Sequence, residues 1–113
     1  MSKRSEQVAG LIQHKLNGII NREIEWPEGV MITITKVEIS ADLKYAKIWL
    51  VCTPEEKTGM AYGVLRDKNK KLRNFLSQEL TLHVVPKITF RVDKAGQAVE
   101  EVEKLLQKIK DEE

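Results

Sequence analysis

Five cations fall within eight residues at Arg66-Asp67-Lys68-Asn69-Lys70-Lys71-Leu72-Arg73. The chemistry open to such a cluster is charge neutralisation of a polyanion, above all phosphate. A helix that began inside the cluster would add free N–H groups and the positive end of its dipole. A solvated basic helix face is an equally weighted reading of the same residues. A second set comprises Tyr45, Lys47, Trp49, Lys87 and Arg91. Strand alternation puts these aromatics and cations on one face, where they can stack bases and hold phosphates. Plain cross-strand packing on a half-exposed face outweighs that reading on the residues alone.

Catalysis finds no comparable constellation. His14 falls off an apolar helical stripe, His83 alternates along a strand, and neither belongs to a ligand-spaced cluster. Asp42 and Asp93 stand where a turn and a helix cap need them. Cys52 lies on the apolar face of a strand, as a small buried residue. Neither a dinucleotide-binding glycine pattern nor a phosphate loop occurs. No cofactor is implied. A small hydrolase would need a pocket of perturbed titratable groups, for which the residues offer nothing.

The elements that must position the basic cluster come next. Thr53-Pro54-Glu55-Glu56 reads as a helix start, with Thr53 as N-cap, Pro54 in the first turn and Glu56 completing a capping box. Ala61, Leu65, Leu72, Phe75 and Leu76 then recur at helical spacing. The stripe fails at Lys68, within six consecutive polar residues. One helix from Pro54 to Leu80 would be about 40 Å long at roughly 1.5 Å per residue. A domain of this size has a radius of gyration of about 13 Å. Two helices joined by a kink near Lys68 are therefore expected.

Residues 5–25 read as an amphipathic helix through Val8, Leu11, Ile12, Leu16, Ile19 and Ile20, ended by Trp26-Pro27. Val30 to Ile39 reads as a strand whose alternation changes phase, which places a bulge near Thr35-Lys36. Ser40-Ala41-Asp42 makes a turn into an antiparallel partner, Leu43 to Cys52, with Ala46, Ile48, Leu50 and Cys52 inward. Leu82 to Val92 is a third strand, and Pro86 suits it to an edge. Asp93 opens a last helix through Val99, Val102, Leu105 and Ile109, with a frayed acidic end. The expected core unites Leu65, Leu72, Phe75, Ile88 and Phe90 with Leu11, Leu16, Ile48 and Leu50.

With 113 residues and 42% hydrophobic content, the chain suits one domain, 1–113, built on one core. The formal net charge is only +2, yet residues 1–99 carry +5 and residues 100–113 carry −3. A mildly basic body fits a polyanionic partner. One cysteine precludes an internal disulfide and fits a reducing compartment. With no membrane-length apolar run and no signal-peptide core, a cytoplasmic protein is expected.

Four stretches resemble the bacterial ribosome-binding factor A family, over roughly residues 5–107. They are Val8-Ala9 with Leu11-Ile12, Ser40-Ala41-Asp42-Leu43-Lys44-Tyr45-Ala46-Lys47-Ile48, Leu72-Arg73 with Leu76, and Val85-Pro86-Lys87-Ile88-Thr89-Phe90 followed by Asp93. The resemblance implies an α+β, type II KH-like fold, helix-strand-strand-helix-kink-helix-strand, with an added C-terminal helix and a three-stranded sheet. It implies a non-enzymatic assembly factor that binds the small (30S) ribosomal subunit and aids late 16S rRNA processing and maturation, especially in the cold. Implied partners are that subunit, its rRNA and assembly GTPases, met by a monomer with no membrane attachment. The family kink falls on Lys68-Asn69-Lys70, where this chain lacks the family's Ala-x-Gly. Expected RNA-binding residues are Arg66, Lys68, Asn69, Lys70, Lys71 and Arg73 at the kink, with Lys47, Lys87 and Arg91 on the sheet. A protein–protein adaptor for an acidic partner is the alternative function.

Overall fold

A computed structural model describes residues 3–80 and 85–94. Its elements are α1 (Lys3–Glu23), β1 (Met31–Ile39), β2 (Tyr45–Thr53), a 3-10 turn (Glu55–Lys57), α2 (Thr58–Asp67), α3 (Asn69–Glu79) and β3 (Lys87–Val92). The sheet order is β1-β2-β3, with β1 antiparallel and β3 parallel to β2. This is the type II KH-like order. The expected helix after Asp93 lies outside the described residues, as do Leu82, His83 and Val84 of the expected third strand.

The helices bury the inward face of the sheet. Ile32, Ile34, Val37, Ile39, Ala46, Ile48, Leu50, Cys52, Ile88 and Phe90 join Ile12, Leu16, Ile19, Ile20, Ala61, Leu65, Leu72 and Leu76 in one cluster. The phase change in β1 is met by a register shift between Ile34 and Lys36. The extra residue there turns Val37 and Ile39 back to the core side, so all four β1 aliphatics are buried.

Several boundaries and faces differ from expectation. Leu11 is 43% exposed, because the buried set Ala9, Ile12, Leu16, Ile19 and Ile20 centres the stripe on another side of α1. Phe75 is only partly buried, packed against the core from its flank. Val51, on the outward side of β2, is nevertheless buried. Thr53 does not cap a helix. It pairs with Met31 as the last residue of β2, and Pro54 is extended at φ −74°. Sheet pairing thus claims the backbone that a capping box would need. The 3-10 turn intervenes, and the Thr58 hydroxyl donates to the Glu55 carbonyl at 2.6 Å as α2 begins.

Leu43 belongs to the hairpin turn and not to β2, with φ +61°. Its neighbours hold it there. The Ser40 N–H donates to the Tyr45 carbonyl at 2.9 Å, and the Lys44 N–H donates to the Asp42 carboxylate at 3.0 Å. The Ser40 hydroxyl donates to that carboxylate at 2.6 Å. These two bonds, Ser40 first, keep Asp42 below the ordinary carboxylate range. Before β1, Gly29 takes φ +83°, a conformation that favours glycine. The Trp26 indole N–H donates to the Ile20 carbonyl at 3.1 Å, which satisfies one of α1's last acceptors.

Both margins of the sheet are tied by helix side chains. On the β1 margin, the Ile34 N–H donates to Asn17 Oδ1 at 2.9 Å, and Gln13 Nε2 donates to the Ile34 carbonyl at 3.2 Å. Gln13, Asn17 and Asn21 are spaced four apart, so they stand in a row along α1. On the β3 margin, Asn69 Nδ2 donates to the Ile88 carbonyl at 2.8 Å. Arg73 donates to the Pro86 and Val85 carbonyls, both at 3.2 Å. An open strand edge offers unpaired backbone groups to other chains, and these side chains occupy part of it. Asn17→Ala is expected to cost about 1–3 kcal/mol, the range for stripping the partner from a buried backbone group. Urea unfolding measures that cost. Amide exchange should accelerate at Ile34 well before it does at Ile48.

Candidate nucleic-acid interface

The nine sequence-predicted residues fall into three sets. Arg66, Lys68, Lys70 and Lys71 are exposed around the joint between α2 and α3. Lys68 itself is the joint, at φ −97° and ψ 9°. Its N–H still donates to the Val64 carbonyl and its own carbonyl accepts from the Leu72 N–H, so the chain bends without losing helical continuity on either side. The break in the apolar stripe is this joint. Arg66 pairs with its neighbour Asp67 at 3.4 Å, both well exposed, and contributes little stability by it.

Asn69 and Arg73 form the second set. Both are half-buried, and both spend side-chain donors on β3 carbonyls. They staple α3 to the sheet margin and so fix the direction in which the lysines between them point. The third set, Lys47, Lys87 and Arg91, is exposed on the opposite, outward face of the sheet. Register places Lys47 beside Thr89, Lys87 beside Tyr45 and Arg91 beside Trp49. The structure therefore does not merge the joint and the sheet face into one patch. Strand β3 separates them, with Ile88 turned to the joint and Lys87, Thr89 and Arg91 turned away.

Electrostatics at the start of α3 run against helix stability, although Arg66 suits the last turn of α2. Positive charge is unfavourable at a helix N-terminus, by about 0.3–1 kcal/mol at an exposed site. Yet α3 opens with Asn69-Lys70-Lys71, its first turn holds no acidic residue, and its N-cap Lys68 makes no side-chain cap. An anion seated there would satisfy the helix end and the lysines together. On the outward face two carboxylates near the cations are already engaged. Glu38 accepts the Trp49 indole N–H at 2.6 Å and lies 3.9 Å from the Lys36 ammonium, and Asp93 accepts the Thr35 hydroxyl at 2.7 Å.

Catalytic candidates fare differently. Cys52 is buried, with its thiol 3.6 Å from the Pro54 carbonyl. His14 is exposed in a shallow polar cleft with Asn17, Asn21, Arg22 and Glu79. Arg22 there bridges α1 to α3 through Glu79 at 2.7 Å, and its pKa is raised by hydrogen bonds to Glu23 and then Glu79. Among the described residues no three His, Cys, Asp or Glu side chains gather as metal ligands. No described helix is long and apolar enough to cross a membrane. The residues missed at the level of sequence are the tethers Gln13, Asn17 and Asn21, whose fourfold spacing beside the apolar stripe was the available signal.

Residues 4–106 match the family model described as Ribosome-binding factor A. The chain is 36% identical over 110 residues to ribosome-binding factor A of Pelodictyon phaeoclathratiforme, a match spanning 94% of this chain and 91% of that protein. It is 32% identical over 106 residues to that of Cellvibrio japonicus, spanning 91% and 78%. Among solved structures, the crystal structure of ribosome-binding factor A from Thermus thermophilus superposes with a TM-score of 0.70 at 17% identity, covering 78% of this chain and 93% of that one. The solution structure of a Thermotoga maritima protein, a putative ribosome binding factor A, gives 0.64 at 26% identity, covering 80% and 88%. A Thermus thermophilus homology model fitted into the cryo-EM map of a 30S complex gives 0.66 at 20% identity, covering 76% and 91%.

Proposed function

The chain belongs to the ribosome-binding factor A family, and from that premise we propose that it binds the small ribosomal subunit and aids late 16S rRNA processing and maturation. It does so by binding alone, without turnover, as a cytoplasmic monomer that acts beside assembly GTPases. The observation that carries the reading is the exposed Lys68, Lys70 and Lys71 at the uncapped start of α3. These lysines stand where the helix end itself attracts anions, and phosphate is the anion that rRNA supplies at every nucleotide. Support also comes from the Thermus protein of the same fold, which has been fitted into a 30S map. Contacts of this kind are indifferent to base identity, so shape and register on the subunit supply specificity.

Co-sedimentation tests the reading. The protein is expected to pellet with free small subunits and to be absent from 70S particles. Equal recovery with both particles, or with neither, contradicts it.

A further inference from the structure

We propose that the hairpin end of the outward sheet face seats one unpaired nucleotide, its base stacked on Tyr45 and its phosphate held by Lys47 and Lys87. This rests on the reading that the partner is rRNA and adds a second contact, across the sheet from the helix joint. Of the six aromatic residues, Tyr45 alone is exposed, at 57%. It borders a cleft of about 370 Å³ shared with Glu38, Ser40, Lys47 and Thr89. That volume lies within the range of small-ligand sites, roughly 300–1,000 Å³.

The backbone that carries the ring is fixed. The Tyr45 carbonyl accepts the Ser40 N–H at 2.9 Å, and the Tyr45 N–H donates to the Ser40 hydroxyl at 3.0 Å. Both bonds close the hairpin before any ligand arrives, which spares the backbone's share of the ordering cost of binding. Lys87 is the register partner of Tyr45, and Lys47 stands two residues on along the same face. Cations thus lie on two sides of the ring. Glu38, the nearby carboxylate, is held by the Trp49 indole, and Lys36 lies 3.9 Å away. An aromatic face flanked by ammonium groups matches a base and its phosphate. Paired bases keep their faces stacked inside a duplex, so the ligand is single-stranded.

The test is fluorescence anisotropy with a labelled single-stranded oligouridylate at one fixed salt, alongside small-subunit co-sedimentation. Tyr45→Ala should weaken oligonucleotide binding about 5- to 150-fold, the effect of removing one base–aromatic stack. Tyr45→Phe should bind like the parent, because the ring is kept. Lys47→Gln with Lys87→Gln should bind more weakly and with a shallower salt dependence. Parent-like binding by Tyr45→Ala overturns the proposal. If Lys70→Gln with Lys71→Gln still loses the subunit in that case, the proposed function stands without it. Tyr45-dependent oligonucleotide binding by a protein that does not pellet with small subunits supports the nucleotide site and contradicts the ribosomal reading. Loss of subunit binding by Tyr45→Ala, with oligonucleotide binding unchanged, assigns the face to a protein partner and overturns the proposal.

Discussion

Truncating Phe90 to alanine is expected to destabilise the fold by about 3–5 kcal/mol, the range for a buried aromatic that leaves a cavity behind. Phe90 is 3% exposed and pairs in register with Ile48, which is fully buried. It sits on β3, the six-residue strand that connects the α2–α3 joint to the rest of the sheet. Its neighbours cannot close the gap cheaply, because Ile88 on the same strand and Leu50 on β2 are already committed to the core. Marginal stability of about 5–15 kcal/mol means such a loss removes a large share of the total. Denaturant unfolding at constant slope reads it. A loss near zero would show that β3 turns its other face inward.

Replacing Lys70 and Lys71 together with glutamine is expected to separate binding from folding. Each phosphate held by a lysine adds roughly 0.7–0.9 to the slope of log affinity against log salt. Releasing two phosphates therefore weakens subunit binding by about 25- to 60-fold at about 0.1 M salt. Stability should move by no more than about 0.5 kcal/mol, since both side chains are exposed. Its sign should be favourable, because the substitution takes two positive charges from the first turn of α3. Quantitative co-sedimentation and thermal unfolding of the same variant make the comparison. A variant that binds weakly because it has unfolded would refute this division of roles.

The basic joint and the bulged strand were readable from residue order, for a common reason. Each is a break in a period: the apolar stripe of the helices at Lys68, and the alternation of β1 at Thr35-Lys36. Period is set locally, so its failure shows locally. The start of α2 was not readable. Thr53-Pro54-Glu55-Glu56 satisfies every local rule for a helix cap, but Thr53 is taken by Met31 across the sheet. A long-range pairing overrode local propensity. The parallel placement of β3 and the burial of Val51 are likewise properties of assembly, which strand patterns do not specify. Residue type also hid the division of labour in the basic cluster. By type alone, Asn69 and Arg73 look like ligand-binding residues. In the fold their donors meet β3 carbonyls, and the exposed lysines between them are left facing solvent.

On the proposed function, the joint between α2 and α3 holds rRNA phosphates through charge. The direct measurement is the salt dependence of small-subunit binding by the parent chain and by the Lys70→Gln, Lys71→Gln variant, titrated from about 50 to 200 mM. The two lines should converge as salt rises, with the variant's slope lower by about 1 for each phosphate it no longer holds. Over that interval the gap between them should shrink about tenfold. Parallel lines, or lines that coincide, would contradict the claim.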